Sequence, residues 1–283
     1  MDELAAKQVL LDFEIIILLT LLLGVGATVL VRKFRPLENR PFPDFDGYDV
    51  ALMFFPALLF LLNPLLEVLM ASAELEGETT AEVEEDGGAI GTLLVNIAYF
   101  FFVGVMTYGI IEWIRDRRVV ELFGLRRLGL APIVLYTILG GFLSLLVCAW
   151  GVGAFSQQYL DHIFHDLSAQ RTVEALQGSD SKVELILSIA MACVAAPVVE
   201  ELLFRGYMYG AVKTATNPIF AAVVIGGLFA VVHGNLPALL PLWAFSLMLC
   251  AAYEWTRCLW VPIGMHAFFN AANIVLMLEA SGS

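Results

Sequence analysis

Eight stretches of this chain are long and apolar enough to lie across a lipid bilayer, at about 14–31, 50–70, 90–112, 130–153, 183–212, 218–234, 238–255 and 259–278. A hydrocarbon core about 30 Å thick takes about 20 apolar residues of helix to span. Of the 283 residues, 60% are hydrophobic and 15% charged, whereas soluble domains sit near half apolar. The chain therefore reads as an all-α, polytopic transmembrane bundle of about eight helices.

Lys and Arg in the connecting loops set the expected orientation. With the N-terminus outside, the cytoplasmic side receives Arg32, Lys33, Arg35, Arg40, Arg115, Arg117, Arg118, Arg126, Arg127, Lys213 and Arg257, and the outside only Lys7, Arg171 and Lys182. Both termini are thus expected to be extracytoplasmic. The run Glu74 to Asp86, with seven carboxylates and no base, then falls outside as a solvated tether. An acidic chain, net charge -13, without a basic stripe makes nucleic acid an unsuitable partner and membrane lipid the natural one. The start Met1-Asp2-Glu3, followed by an apolar run and the cluster Arg32-Lys33-Phe34-Arg35, reads as a first transmembrane helix and not as a signal peptide. Cys148, Cys193, Cys250 and Cys258 lack metal or redox spacing and read as small buried hydrophobes. Arg115 to Leu130 is expected to form an amphipathic helix on the cytoplasmic headgroups. In Gln157 to Gln177, His162 and His165 share one helical face and read as solvated loop histidines. Three regions follow: 1–130, with the acidic and basic loops; 131–182, a helix and an outer amphipathic loop; and 183–283.

Charge inside a membrane span is costly and usually marks function. The span 183–212 contains Glu200-Glu201-Leu202-Leu203-Phe204-Arg205; the next contains Phe229-Ala230-Val231-Val232-His233, and the last His266-Ala267-Phe268-Phe269-Asn270. Measured from the ends marked by Lys213, Pro218 and Arg257, the helical rise puts Glu200 at about 18 Å, His233 at about 22 Å, His266 at about 12 Å and Asn270 at about 18 Å. Four polar groups at a common depth predict one site. Glu201 and Arg205 have the spacing of a helical ion pair, so Glu201 is expected to neutralise Arg205. Glu200 remains as the freer carboxylate, poised to act as general base. Pro197 is expected to kink its helix and admit water, Phe229 to pack on His233, and the cavity to open toward the cytoplasm.

The three motifs EELLFR, FAVVH and HAFFN resemble the EExxxR, FxxxH and HxxxN signature of the CAAX-protease and bacteriocin-processing (CPBP) family of intramembrane proteases, over roughly Val183 to Leu278. The resemblance implies a catalytic helical core in 183–283 of a multi-pass protein of the bacterial plasma membrane. It implies a peptide or lipidated protein substrate and catalytic roles for the residues matching Glu200, Glu201, Arg205, His233, His266 and Asn270. In the corresponding mechanism Glu200 deprotonates water that attacks a peptide carbonyl, while His233, His266 or Asn270 hydrogen-bonds the oxyanion. Glu200, His233 and His266 would also supply three ligands to one Zn2+; glutamate chemistry without metal is the preferred expectation. Rival readings are a proton-coupled transporter and a non-catalytic scaffold that confers resistance to a toxic peptide.

Overall fold

The computed structural model describes residues 3–34, 45–59, 89–160 and 182–281. Within them the regular elements are helices. These are α1 Glu3–Phe34, α2 Gly47–Leu52, α3 Ala89–Gly109 running into a π-turn at Ile110–Ile114, and the single turn α4 Val119–Leu122. Next, α5 Leu130–Ser144 passes through a π-helical stretch, Leu145–Val152, into α6 Gly153–Leu160. The long central rod is α7 Lys182–Ala190, π-helix Met191–Ala195, α8 Ala196–Glu201, π-helix Leu202–Met208 and α9 Tyr209–Ala215. Then come α10 Pro218–Val231, α11 Leu239–Thr256 and α12 Trp260–Ser281.

Six helical stretches are long and apolar enough to cross a membrane: Gln8–Gly26, Leu93–Ile114, Leu130–Ser156, Val183–Ala215, Leu239–Thr256 and Trp260–Glu279. Gly47–Leu59 and Pro218–Val231 are shorter apolar helices. Of the eight expected spans, six are full-length among the described residues, 218–234 is a shorter helix, and 50–70 is described only as far as Leu59, in an integral multi-pass membrane protein. The acidic run Glu74 to Asp86 and the pair His162 and His165 lie outside the described residues.

Packing is densest where small residues let backbones approach, as membrane helices require in the absence of a hydrophobic force between them. Helix α12 lies along α5, and a Cβ placed on Gly141 would stand 2.5 Å from Cδ1 of Phe268, one on Gly264 2.4 Å from Oγ1 of Thr137. On the other side, α10 is held among α1, α9 and α11. Its start is set by Asn217, whose side chain accepts from the Phe220 N–H, with Pro218 at the first helical position.

The described Lys and Arg side chains outside Arg205 gather at one end. There Asp46 and Asp49 form a capping box at the start of α2. Arg115 bridges both carboxylates, at 2.8 Å to Asp49, while Arg117 lies 3.3 Å from Asp49. Partial burial acts to raise the Asp46 pKa, but the backbone N–H groups of Asp49 and Tyr48 and the Arg115 guanidinium outweigh it and hold the carboxyl below its usual range. The segment after Arg115 is not the expected amphipathic helix on the headgroups. Only Val119–Leu122 is helical, the Val119 N–H donates to Glu112, and Phe123 is fully buried against Gly206. The reason is a tight turn at Gly124 (φ 62°) that lets the Phe123 carbonyl accept from the Leu259 N–H at 3.1 Å. This loop clamps the α11–α12 turn, where Arg257 itself is left-handed (φ 53°).

A Cβ on Gly124 would lie 2.0 Å from the Arg257 carbonyl oxygen. Gly124→Ala combines that clash with a left-handed penalty of about 1–2 kcal/mol, so a lowered thermal midpoint in detergent is expected. The depressed Asp46 pKa stabilises the fold above the ordinary carboxylate value of about 3.9 and is lost as pH falls through the folded value. Asp46→Asn, which keeps the cap but not the charge, is therefore expected to melt below the parent at pH 7, with the gap closing on acidification below about pH 4.

Candidate active site

Arg205 is the most demanding residue in the bundle, because its guanidinium is fully buried (0% exposed) at membrane depth. Three neighbours compensate it. Its Nη1 donates to Oε1 of Glu201 at 2.8 Å, its Nη2 donates to Oγ of Ser246 at 2.7 Å, and its Cζ sits 4.2 Å from the centroid of the Phe229 ring. A carboxylate, a hydroxyl and a π-face supply charge, geometry and packing respectively. Ser246 lies on α11, outside all three motifs. Its sequence signal was a lone hydroxyl in an apolar span, too common to single out.

The π-helices on either side of α8 place these groups. A π-turn adds a residue to the helical repeat and is often found at functional sites. Here one such stretch precedes the two glutamates and the other contains Arg205. Pro197 lies inside the continuous rod, just after the first π-stretch, and has no N–H to give to the carbonyls of that stretch. The local departure from α-geometry is the flanking π-bulges, with Pro197 next to one of them.

Glu201 also receives a second partner. Nδ1 of His266, from α12, lies 2.8 Å from the same Oε1 that pairs with Arg205. A carboxylate accepts, so His266 donates from Nδ1. Nδ1 of His233 lies 2.6 Å from the Phe229 carbonyl, which also only accepts, so His233 donates from Nδ1 as well. Each neutral imidazole therefore turns an unprotonated Nε2 to the site. Both point toward one atom: Oε2 of Glu200 is 3.8 Å from Nε2 of His233 and 4.0 Å from Nε2 of His266. That oxygen is buried and, among the described residues, has no hydrogen-bond partner. With Glu200 ionised and both rings neutral, all three of these atoms are acceptors.

Aromatic rings wall this arrangement. Phe229 lies 4.6 Å from the His233 ring and edge-on to His266 at 5.7 Å, while Phe245 is edge-on to His266 at 5.5 Å and stacks on Phe269. Of the sequence candidates, Glu200, Glu201, Arg205, His233 and His266 come together. Asn270 is held differently, because its Nδ2 donates to the Ala192 carbonyl at 2.8 Å and so ties α12 to the first π-stretch of the rod.

The donor types around Glu200 are those zinc accepts, but their spacing is open. Ligands 2.0–2.2 Å from a tetrahedral ion stand about 3.4 Å apart, less than the 3.8 and 4.0 Å here. Among the described residues no three His, Cys, Asp or Glu side chains form a set able to hold an ion. The residues as placed do not fit a closed metal shell.

Residues 182–272 match a family model described as type II CAAX prenyl endopeptidase Rce1-like. The segment contains all three motifs, and the family resemblance drawn from them holds for it. A Bacillus subtilis (strain 168) protein, described as "Putative membrane peptidase YdiL", is 27% identical over 147 residues, 52% of this chain and 57% of that protein. The similarity thus spans a little over half the length of that relative. No solved structure matches.

Removing the Glu201 charge leaves Arg205 buried without its counter-ion, a change that costs about 3–5 kcal/mol in buried pairs. Glu201→Gln is expected to lower the thermal midpoint more than Ser246→Ala, which removes one hydrogen bond to a charged group worth about 1.5–3 kcal/mol. Melting curves of the two purified variants beside the parent check the order.

Proposed function

We propose that this chain is an intramembrane endopeptidase that hydrolyses a peptide bond of a membrane-associated substrate, with Glu200 activating the water. The observation that carries the reading is the buried Oε2 of Glu200, without a hydrogen-bond partner among the described residues and with the Nε2 atoms of His233 and His266 at 3.8 and 4.0 Å. Burying a polar atom without a partner is unfavourable, and a water molecule relieves the conflict by offering its hydrogens to the carboxylate and to an imidazole. Its remaining lone pair is then free to attack.

As the water oxygen bonds to the substrate carbonyl carbon, Glu200 takes the proton released. The carbonyl π-pair moves onto oxygen, and the tetrahedral intermediate collapses when Glu200 returns the proton to the leaving amine nitrogen. The oxyanion needs a donor. In the tautomers fixed by Phe229 and Glu201, neither Nε2 carries a hydrogen, so each histidine acts as donor only in its protonated form. For His266 that form keeps its Nδ1–H against the Glu201 carboxylate, an arrangement that orients the ring. Arg205 acts through Glu201 and is a positioning residue. Asn270 retains one amide hydrogen beyond the bond to Ala192 and stands on the same face of α12 as His266. Since the spacing around Glu200 does not close on an ion, no step is drawn through a metal.

Prenylated peptides, and lipidated proteins in general, are a substrate class consistent with the family description of residues 182–272, and the aromatic walls are compatible with an apolar flank. Glu200→Gln keeps the shape of the side chain while removing the base. Cleavage of a membrane peptide substrate by the reconstituted protein is expected to fall by about 10²–10⁴ with an unchanged melting curve; full activity in the variant would remove Glu200 as the base, and a parent that cleaves nothing would return the chain to the transporter or scaffold readings. Chelator treatment is expected to leave activity little changed, and a strict, restorable zinc requirement would show that the pocket closes on a metal in the working enzyme.

A further inference from the structure

A buried protease site needs a water path, and the two ends of this bundle differ sharply in what they offer. Toward the end carrying Arg115–Arg127, Lys213 and Arg257, the volume beyond Glu200 is filled by Phe204, Tyr207, Met208, Leu249, Cys250 and Leu259, all buried. Toward the opposite end the exposure rises. The His233 side chain is 29% exposed, against 8% for Glu200 and 3% for His266.

Helix lengths explain that opening. From its start beside the basic end, α10 runs 14 residues, about 21 Å, and so stops about 9 Å short of the far side of a 30 Å hydrocarbon core. His233 follows the capping Val232, and the chain turns at Gly234 (φ 63°) before α11 begins at Leu239. Irregular backbone at that depth persists only where protein or an aqueous cavity satisfies its polar groups. The protein does so in part: the Asn235 side chain accepts from the Ala238 N–H, and Ser156 of α6 donates to the Pro237 carbonyl at 2.9 Å. A partly exposed imidazole beside this loop needs water, because the alternative is a polar ring against lipid.

Loop charge says which side this is. Among the described residues, Arg115, Arg117, Arg118, Arg126, Arg127, Lys213 and Arg257 lie at the plugged end, and the positive-inside rule places that basic end in the cytoplasm. We propose that the catalytic pocket opens at the α10–α11 loop toward the extracytoplasmic side, so that the substrate is a peptide segment presented from the outer leaflet and not a cytoplasmic chain end. The substrate assignment rests on the protease reading above; the location of the opening does not. It also reverses the expectation that the cavity faces the cytoplasm, which followed from depth along α12 without sight of the packed residues below His266.

The test is reaction with a charged, membrane-impermeant thiol reagent in sealed vesicles of defined sidedness. His233→Cys reports the pocket mouth, Arg118→Cys, at an exposed position, reports the basic loop, and the parent with its four native cysteines is the blank. With the extracytoplasmic face outward, His233→Cys is expected to be labelled and Arg118→Cys to be silent until the vesicles are inverted or opened. Labelling of His233→Cys only from the face that labels Arg118→Cys, or no labelling from either face, would overturn the position of the opening; labelling of Arg118→Cys from outside would overturn its assignment to the outer leaflet. None of these readouts needs catalysis, so an inactive parent, or a fully active Glu200→Gln variant, would leave them standing, and the reverse also holds.

Discussion

The rest of the site depends on neutralising one guanidinium inside the bundle. Arg205 is fully buried, and an unpaired charge at that depth would be expelled or would draw water into the core. Glu201 answers its charge, Ser246 fixes a second donor and Phe229 covers its face. Each partner comes with a consequence. The Glu201 oxygen that holds Arg205 also holds Nδ1 of His266, and the Phe229 that covers Arg205 uses its carbonyl to hold Nδ1 of His233. One buried cation therefore organises the residues that set both histidine tautomers, and the tautomers leave lone pairs facing Glu200. The chemistry proposed at Glu200 is downstream of a structural problem solved at Arg205.

The same packing separates two ends of the bundle. Below the site, large side chains from the rod and from α11 close around the ion pair, and the basic loop locks the α11–α12 turn through Phe123 and Gly124. Above it, a short helix ends early and leaves His233 at the edge of the protein interior. Filled packing on one side and a shortened helix on the other leave the site closed toward Arg205 and more exposed at His233. That asymmetry suits hydrolysis, which needs water at one atom and an undisturbed electrostatic frame behind it.

Much of this was legible along the chain. Apolar run length predicted the helical membrane architecture, because hydrocarbon thickness ties residue count to span. Polar residues within those runs pointed to Glu200, Glu201, Arg205, His233 and His266, since intramembrane charge is retained only where something answers it. Helical spacing anticipated the Glu201–Arg205 pair, and simple rise arithmetic brought four side chains to a common depth. Two kinds of feature were out of reach. The π-helices have no periodic signature, being single-residue insertions stabilised by their surroundings, and Ser246 looked like any hydroxyl that bonds back to its own helix. The short turn at Gly124 defeated the amphipathic reading of the loop after Arg115, because hydrophobic residues there bury into the core and not into headgroups.

By itself, then, the sequence determined the class of fold, the list of polar groups to be housed within it and the charge bias between its two ends, all of which follow from local chemistry and from the solvent the chain must live in. Tertiary structure alone decided which nitrogen of each histidine faces Glu200, that Asn270 spends a hydrogen on Ala192, that Ser246 stands behind Arg205 and which end of the bundle is filled. Those outcomes turn on ångström separations between residues dozens of positions apart. Hydrogen-bond direction and packing density are properties of such separations and leave no trace in composition or period.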